Sequence, residues 1–167
     1  YANCAIEPEM AIMIGADLYG EHLSDKELIC SIEYVSVGVE LHDYTFWHGA
    51  PSMQELICSG GIHAGLLVGH EKVPATALSF SEELFSVYKT DRLVTASPAS
   101  EIMGGPLESL RWLVGFLTKK GDYLQAGCLV IPGSPTELIE ISQDTEIKVD
   151  IEHVGELSVS FKSPLTK

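Results

Sequence analysis

The sequence predicts an α+β fold, a mixed β-sheet accompanied by two helices. Short apolar runs bounded by Gly, Asp and Pro recur along the chain, as strands do. Two of these runs fold back on themselves around tight turns. Only two segments keep a helical period with capping signals at their ends.

The first strand is read over residues 3–14, ended by Gly15 and Asp17. Ser24 is a helix N-cap, with Asp25 and Glu27 in the first turn and Leu28, Ile29 and Ile32 behind them. A second strand covers 34–42. Residues 43–61 read as a loop with one helical turn near 52–58, and the loop is rich in Tyr44, Phe46, Trp47 and His48. Long loops in compact domains often carry function. Ala64-Gly65-Leu66-Leu67-Val68-Gly69 reads as a third, buried strand. Residues 82–97 form a hairpin turning at Thr90-Asp91. The clearest helix spans 106–120, from Pro106 at its first position to Gly121 as its stop. Its stripe is Leu107, Leu110, Leu113, Val114 and Leu117, and Lys119 and Lys120 suit its C-terminal end. Leu129-Val130-Ile131 is a short strand, and 146–152 with 156–161 make a second hairpin around Val154-Gly155.

The chain has 167 residues, enough for one domain with a substantial core. Its net charge of -14 argues against nucleic acid and anionic membrane surfaces as partners. Cys4, Cys30, Cys58 and Cys128 fit no zinc spacing. They are expected to be reduced, mostly buried thiols of a cytoplasmic protein. No apolar run approaches the ~20 residues of a membrane span. The chain starts at Tyr1 without a methionine, and a missing upstream segment is expected.

Three acidic residues interrupt apolar strands: Glu7, Glu9 and Glu40. Residues two apart on a strand share a face. Glu7 and Glu9 therefore point the same way as Ala11 and Met13, opposite Ile6, Met10, Ile12 and Ile14. In the second strand Glu40 and His42 oppose Val35, Val37, Val39 and Leu41. If the strands pair, three carboxylates converge, and such a cluster calls for a cation because each buried unpaired charge costs several kcal/mol. A hard ion such as Mg2+ suits it. The same alternation also describes a half-exposed strand with no metal. Cys58 and His63 are conceivable as a nucleophile pair, but closeness in sequence is not hydrogen-bond reach. His48 beside Trp47 is a candidate for a pocket or an interface.

In order along the chain, several segments resemble the fumarylacetoacetate hydrolase-like superfamily, nearest its 2-oxopent-4-enoate hydratase and 4-oxalocrotonate decarboxylase branch. Glu7-Pro8-Glu9 resembles the family's E-x-E metal motif, and Glu40 follows at the offset of its third acidic ligand. Asp43 completes an E-x-x-D. Residues 64–69 resemble the buried strand after the active-site loop. Met103-Gly104-Gly105-Pro106-Leu107 with Leu110-Arg111-Trp112-Leu113 resembles a Gly-His-Pro turn and helix. Gln125-Ala126-Gly127 and Gly133-Ser134 resemble an A-G-D…T-G-S segment, and residues 155–161 the last strand.

The resemblance covers the whole chain. It implies a single domain over 1–167 with the mixed β-sheet roll of the family's C-terminal domain and two helices, lacking the family's N-terminal segment. It implies a lyase of hydratase or decarboxylase type, dependent on Mg2+ or Mn2+, acting on a small 2-oxo or 2-hydroxy-dienoic acid through a metal-bound enolate. Glu7, Glu9 and Glu40 would be the ligands, His42 and Asp43 would support them, and Gly133, Ser134 and His48 would meet the substrate. The family's catalytic lysine would lie upstream of Tyr1, so no catalytic residue is assigned. Gly104-Gly105, Pro132 and Cys128 depart from the family pattern, as do Tyr44 and Thr45 after Asp43. Two other readings therefore stand: a non-catalytic subunit with an altered pocket, and a metal-dependent acylpyruvate C–C hydrolase. A homo-oligomer is expected, and a partner chain could supply the absent segment.

Overall fold

The computed structural model describes residues 4–43, 52–141 and 144–162. Two sheets and three α-helices build it. The first sheet holds β1 (Cys4–Ile14), β2 (Ile32–Asp43), β3 (His63–Val68), β6 (Leu129–Val130) and β7 (Ile139–Glu140). Its order is β3-β2-β1-β6, with β7 also on β1. The second holds β4 (Leu84–Lys89), β5 (Arg92–Pro98), β8 (Thr145–Ile151) and β9 (Gly155–Phe161), ordered β5-β4-β8-β9. The helices are α1 (Asp25–Ser31), α2 (Met53–Cys58) and α3 (Pro106–Lys119). The α+β roll with two principal helices is as expected. Within it every described strand pair runs antiparallel, a finer point than the mixed sheet expected.

The long strands form because their apolar residues have a core to meet. Ile6, Met10, Ile12 and Ile14 on β1, and Val35, Val37, Val39 and Leu41 on β2, are buried. They join one cluster with Phe85 and Val87 of β4, Ile147, Val149 and Ile151 of β8, and Leu107, Leu110 and Val114 of α3. Each such side chain contributes about 1.5–3 kcal/mol on burial. The eight on β1 and β2 thus outweigh the several kcal/mol that a buried carboxylate on the reverse face costs.

Local signals end the elements. Ser24 and Ser52 each close a capping box, with Glu27 and Glu55. Thr90 and Asp91 both take positive φ, 47° and 62°, which is the tight hairpin geometry between β4 and β5. Pro106 occupies the first turn of α3.

Two expectations are corrected. The 64–69 strand is not buried: β3 lies at the sheet edge and its residues are half-buried or exposed. Nor are the cysteines mostly buried. All four are free, but Cys30 and Cys58 are exposed and Cys4 and Cys128 half-buried. α1 buries only Leu28, so Cys30 falls on its outer side.

Candidate metal centre

Antiparallel pairing of β1 with β2 sets Glu7 directly opposite Glu40, Ala5 opposite His42 and Glu9 opposite Gly38. Directly opposed residues share a sheet face. The three glutamates and His42 therefore lie together on the face turned from the aliphatic core. Gly38 leaves room there: a Cβ at that position would stand 3.2 Å from the Cβ of Glu9.

Burial is graded across the cluster. Glu9 is 1% exposed, the side chains of His42 and Glu40 are 4% and 12%, Glu7 is 26% and His63 is 44%. Glu9 is thus the floor, and Glu7 and His63 the rim. His42 Nε2 lies 3.0 Å from Glu7 Oε2 and 3.6 Å from Glu40 Oε2. His63 Nδ1 lies 2.6 Å from the other Glu40 oxygen, Oε1. Glu7, Glu40 and His42 each offer an atom within 4.8 Å of the others. Glu9 stands outside that tight set, behind it on the same face.

Glu9 Oε2 accepts a hydrogen bond from the Gly133 N–H at 3.1 Å. Gly133 has a φ of +122°, a backbone that favours glycine and that presents this N–H. Burial pushes the Glu9 carboxyl well above its ordinary value; the Gly133 N–H opposes this, and the charges of Glu40 and Glu7 add to it. At His42 burial disfavours the charge. The hydrogen bond to Glu7 and the charges of Glu40 and Glu7 outweigh it and raise the pKa. The Gly61 backbone adds a smaller lift, and His42 Nδ1 is buried with no hydrogen-bond partner among the described residues.

Of the residues expected from sequence, Glu7, Glu9, Glu40 and His42 are brought together. Gly133 reaches Glu9 through its backbone N–H. Ser134 instead shares its hydroxyl with Thr136, at 3.3 Å. Asp43 pairs in register with Cys4, on the Leu41 side of the strand, with its Oδ1 buried and unpartnered among the described residues. His48 lies outside the described residues. His63 was not expected here. Its partner across the sheet is His42, at a register shift between Leu41 and His42, and no sequence period reveals such a shift.

The donor set fits a hard divalent ion. Three carboxylates crowd one face, and among the described residues the most buried of them has a single hydrogen bond for its two oxygens. One ligand atom each from Glu7, Glu40 and His42 lies within 4.8 Å of the others, close to the span of about 4.2 Å across an ion whose ligands stand about 2.0–2.1 Å away. Charges so placed repel one another in a poorly solvated site unless a cation lies among them.

No family model matches the chain. By sequence it is similar to a 4-oxalocrotonate decarboxylase of a Pseudomonas species, 25% identical over 161 residues, covering 96% of this chain and 61% of that protein. It is also similar to 2-keto-4-pentenoate hydratase 2 of Dechloromonas aromatica, 22% identical, covering 93% of this chain and 60% of that protein. The chain thus spans about three-fifths of the length of these curated relatives. By structure it resembles 4-oxalocrotonate decarboxylase from Pseudomonas putida G7 complexed with magnesium and adipate, with TM-score 0.84 and 21% identity over 95% of this chain and 60% of that one. It also resembles fumarylpyruvate hydrolase from Pseudomonas aeruginosa in complex with Mn2+ and pyruvate, with TM-score 0.72 and 18% identity over 97% and 67%. The chain shares its fold with these decarboxylase and hydrolase structures, and the curated proteins it is similar to by sequence are named as decarboxylases and hydratases.

Proposed function

We propose that the chain carries the metal centre of a divalent-metal-dependent lyase, of hydratase or decarboxylase type, acting on a small 2-oxo or 2-hydroxy-dienoic acid. One observation carries this reading: Glu7 faces Glu40 across two paired strands, with Glu9 buried behind them, in a fold shared with a magnesium-bound decarboxylase. Glu7, Glu9 and Glu40 would hold Mg2+ or Mn2+. When bound, such an ion supplies a Lewis acid for the oxygens of a 2-oxo acid.

The chain's own residues do the rest. Gly133 fixes the Glu9 carboxylate through its N–H. His42 holds Glu7, and His63 holds Glu40 by one oxygen, leaving the other turned toward His42. The aliphatic core behind β1 and β2 keeps these strands in register and the floor of the site dry. Gly133, Ser134 and His48 remain the residues proposed to meet the substrate, and Asp43 the one proposed to order the nearby chain.

A single domain over 1–167 is supported by one continuous core. Exposed Trp112, Phe116 and Met103 support a homo-oligomer. Four free cysteines support a cytoplasmic setting. Among the described residues no helix is long and apolar enough to cross a membrane.

The fumarylpyruvate hydrolase likeness favours a second reading, metal-dependent C–C hydrolysis of an acylpyruvate. Supplying 2-hydroxydienoates, an oxalocrotonate and acylpyruvates to the metal-loaded protein and identifying products by mass separates the readings. Addition of water or loss of CO2 supports the first, and cleavage to two acids the second. The metal itself is tested by thermal unfolding against Mg2+ and Mn2+. A specific site raises the melting temperature once the ion exceeds its Kd, by about 2.7 kcal/mol of stability at a hundredfold excess, and the rise continues with the logarithm of the ion concentration. Glu9→Gln should abolish the rise. A parent protein indifferent to both ions would sink the proposal.

A further inference from the structure

A buried nitrogen donor stands among the acids of the first sheet. His42 follows Glu40 by two on β2, so its ring shares the face of the glutamates. Ala5, the residue opposite it on β1, is small and buried, and the ring reaches Glu7 and Glu40 beside it. The His42 side chain is 4% exposed.

The spacing is that of ligands. His42 Nε2 lies 3.0 Å from Glu7 Oε2 and 3.6 Å from Glu40 Oε2. A single N–H cannot serve both oxygens well. An octahedral ion with donors about 2.1 Å away, by contrast, sets neighbouring donors about 3.0 Å apart. Glu7, Glu40 and His42 are also the residues whose ligand atoms all fall within 4.8 Å of one another. The ring chemistry permits ligation. A neutral imidazole has one N–H and one lone pair. Among the described residues nothing hydrogen-bonds Nδ1, so no donor there prevents the proton from residing on it, with the Nε2 lone pair turned to the acids. Two carboxylates repel such a lone pair, and a cation among the three turns the repulsion into binding.

We propose that His42 is itself a metal ligand, through Nε2 and alongside the glutamates, and that the site therefore takes a first-row transition ion such as Mn2+ or Co2+ in preference to Mg2+. The proposal rests on the metal reading above and narrows its choice of ion. Mg2+ holds to oxygen donors and dehydrates reluctantly, whereas imidazole is a good ligand for transition ions. Carboxylates alone suit either kind, and the buried imidazole suits the second. His63 does not share this role. Its Nδ1 is 2.6 Å from Glu40 Oε1, the oxygen turned from His42, and its side chain is 44% exposed.

The test uses the full chain, made with isotope-labelled histidine, stripped by chelator and loaded with Mn2+ alone. Pulsed electron paramagnetic resonance should show the hyperfine coupling of a ligating histidine nitrogen, altered by the label. The coupling should persist in His63→Gln and disappear in His42→Gln. Calorimetric titration with Mg2+ and Co2+ gives a second readout. His42→Gln keeps a polar group beside Glu7 but offers no imidazole, and it should lower the affinity for Co2+ relative to Mg2+ by about tenfold or more. A residue that only positioned Glu7 would weaken both ions alike, and an unmoved ratio would overturn the proposal. So would bound Mn2+ with no histidine nitrogen in its spectrum, or a nitrogen signal that survives in His42→Gln. Each of these leaves the carboxylate centre standing. Should His42→Gln fail to fold, the parent spectrum still decides, because the absence of a histidine nitrogen there overturns the idea by itself. A parent that takes up none of the three ions would overturn it together with the metal reading.

Discussion

Glu9 is the residue on which the metal reading turns. It is 1% exposed, has one hydrogen bond for two oxygens among the described residues, and sits near two further carboxylates. Burial of such a group costs stability unless a cation lies beside it. Without metal, Glu9→Gln keeps the acceptor for the Gly133 N–H and removes the charge. In chelator the variant should therefore melt higher than the parent, by the few degrees that about 1 kcal/mol gives in a domain of this size. In Mg2+ the order should reverse, because only the parent gains. A variant that melts lower under both conditions would mean that Glu9 supports the fold and not an ion. The face shared by Glu7, Glu9, Glu40 and His42 was legible in the sequence because the strand period is two. His63 was not. The sequence offers it only as a neighbour of Cys58, whereas the structure turns it onto Glu40 and leaves Cys58 exposed.

At the scale of elements, the β1–β2 register is what brings the acids together, and Gly38 is what lets Glu9 fit. The Cβ of Gly38→Val would stand 3.2 Å from Glu9 Cβ and 3.3 Å from its carbonyl oxygen before its methyls are counted. Valine suits a strand, so the sheet should survive with Glu9 displaced. The Mg2+ midpoint in the thermal titration is expected to weaken by about 10–100-fold, with circular dichroism unchanged. A second link joins the segment before β4 to the β8–β9 turn. Buried Glu83 takes the Ser79 N–H at 2.8 Å through one oxygen and meets His153 Nδ1 at 2.8 Å with the other. The hydrogen bond to Glu83, then its charge, then that of Glu152, raise the His153 pKa against a weak effect of burial. A raised folded value means that the stabilisation is full below the ordinary histidine value of about 6.5 and is lost as pH rises through the raised one. His153→Gln should flatten the fall in melting temperature above that range. An unchanged fall would assign it to another group. The sequence reading located β1, β2, the two hairpins, α1 and α3, since each has a period, a cap or a turn. It missed β7, because two residues carry no period. It overestimated the burial of β3, because an apolar run does not say whether a strand is central or at an edge.

For the whole molecule, one core lies between two antiparallel sheets, α3 closes one side, and the acids are carried on the far face of the first sheet. Which face of α3 would remain open was not legible. Its inner stripe of Leu107, Leu110 and Val114 is legible from the helical period, whereas no period announces the exposure of Trp112 and Phe116 on the other side. The net charge of -14 acts on the same scale and complicates any metal titration. Self-repulsion destabilises a compact acidic chain, and any salt relieves it by screening. NaCl is therefore expected to raise the melting temperature gradually, without saturation, in the parent and in Glu9→Gln alike. A site of close carboxylates behaves differently, because a divalent ion held by several oxygens is not displaced by dilute screening ions. Mg2+ at low concentration should add a further rise on top of the NaCl effect in the parent only, growing with the logarithm of its concentration. If that rise vanishes in NaCl, or persists in Glu9→Gln, the ion is serving the diffuse acidic surface, and the ordered trio of glutamates has no special claim on it.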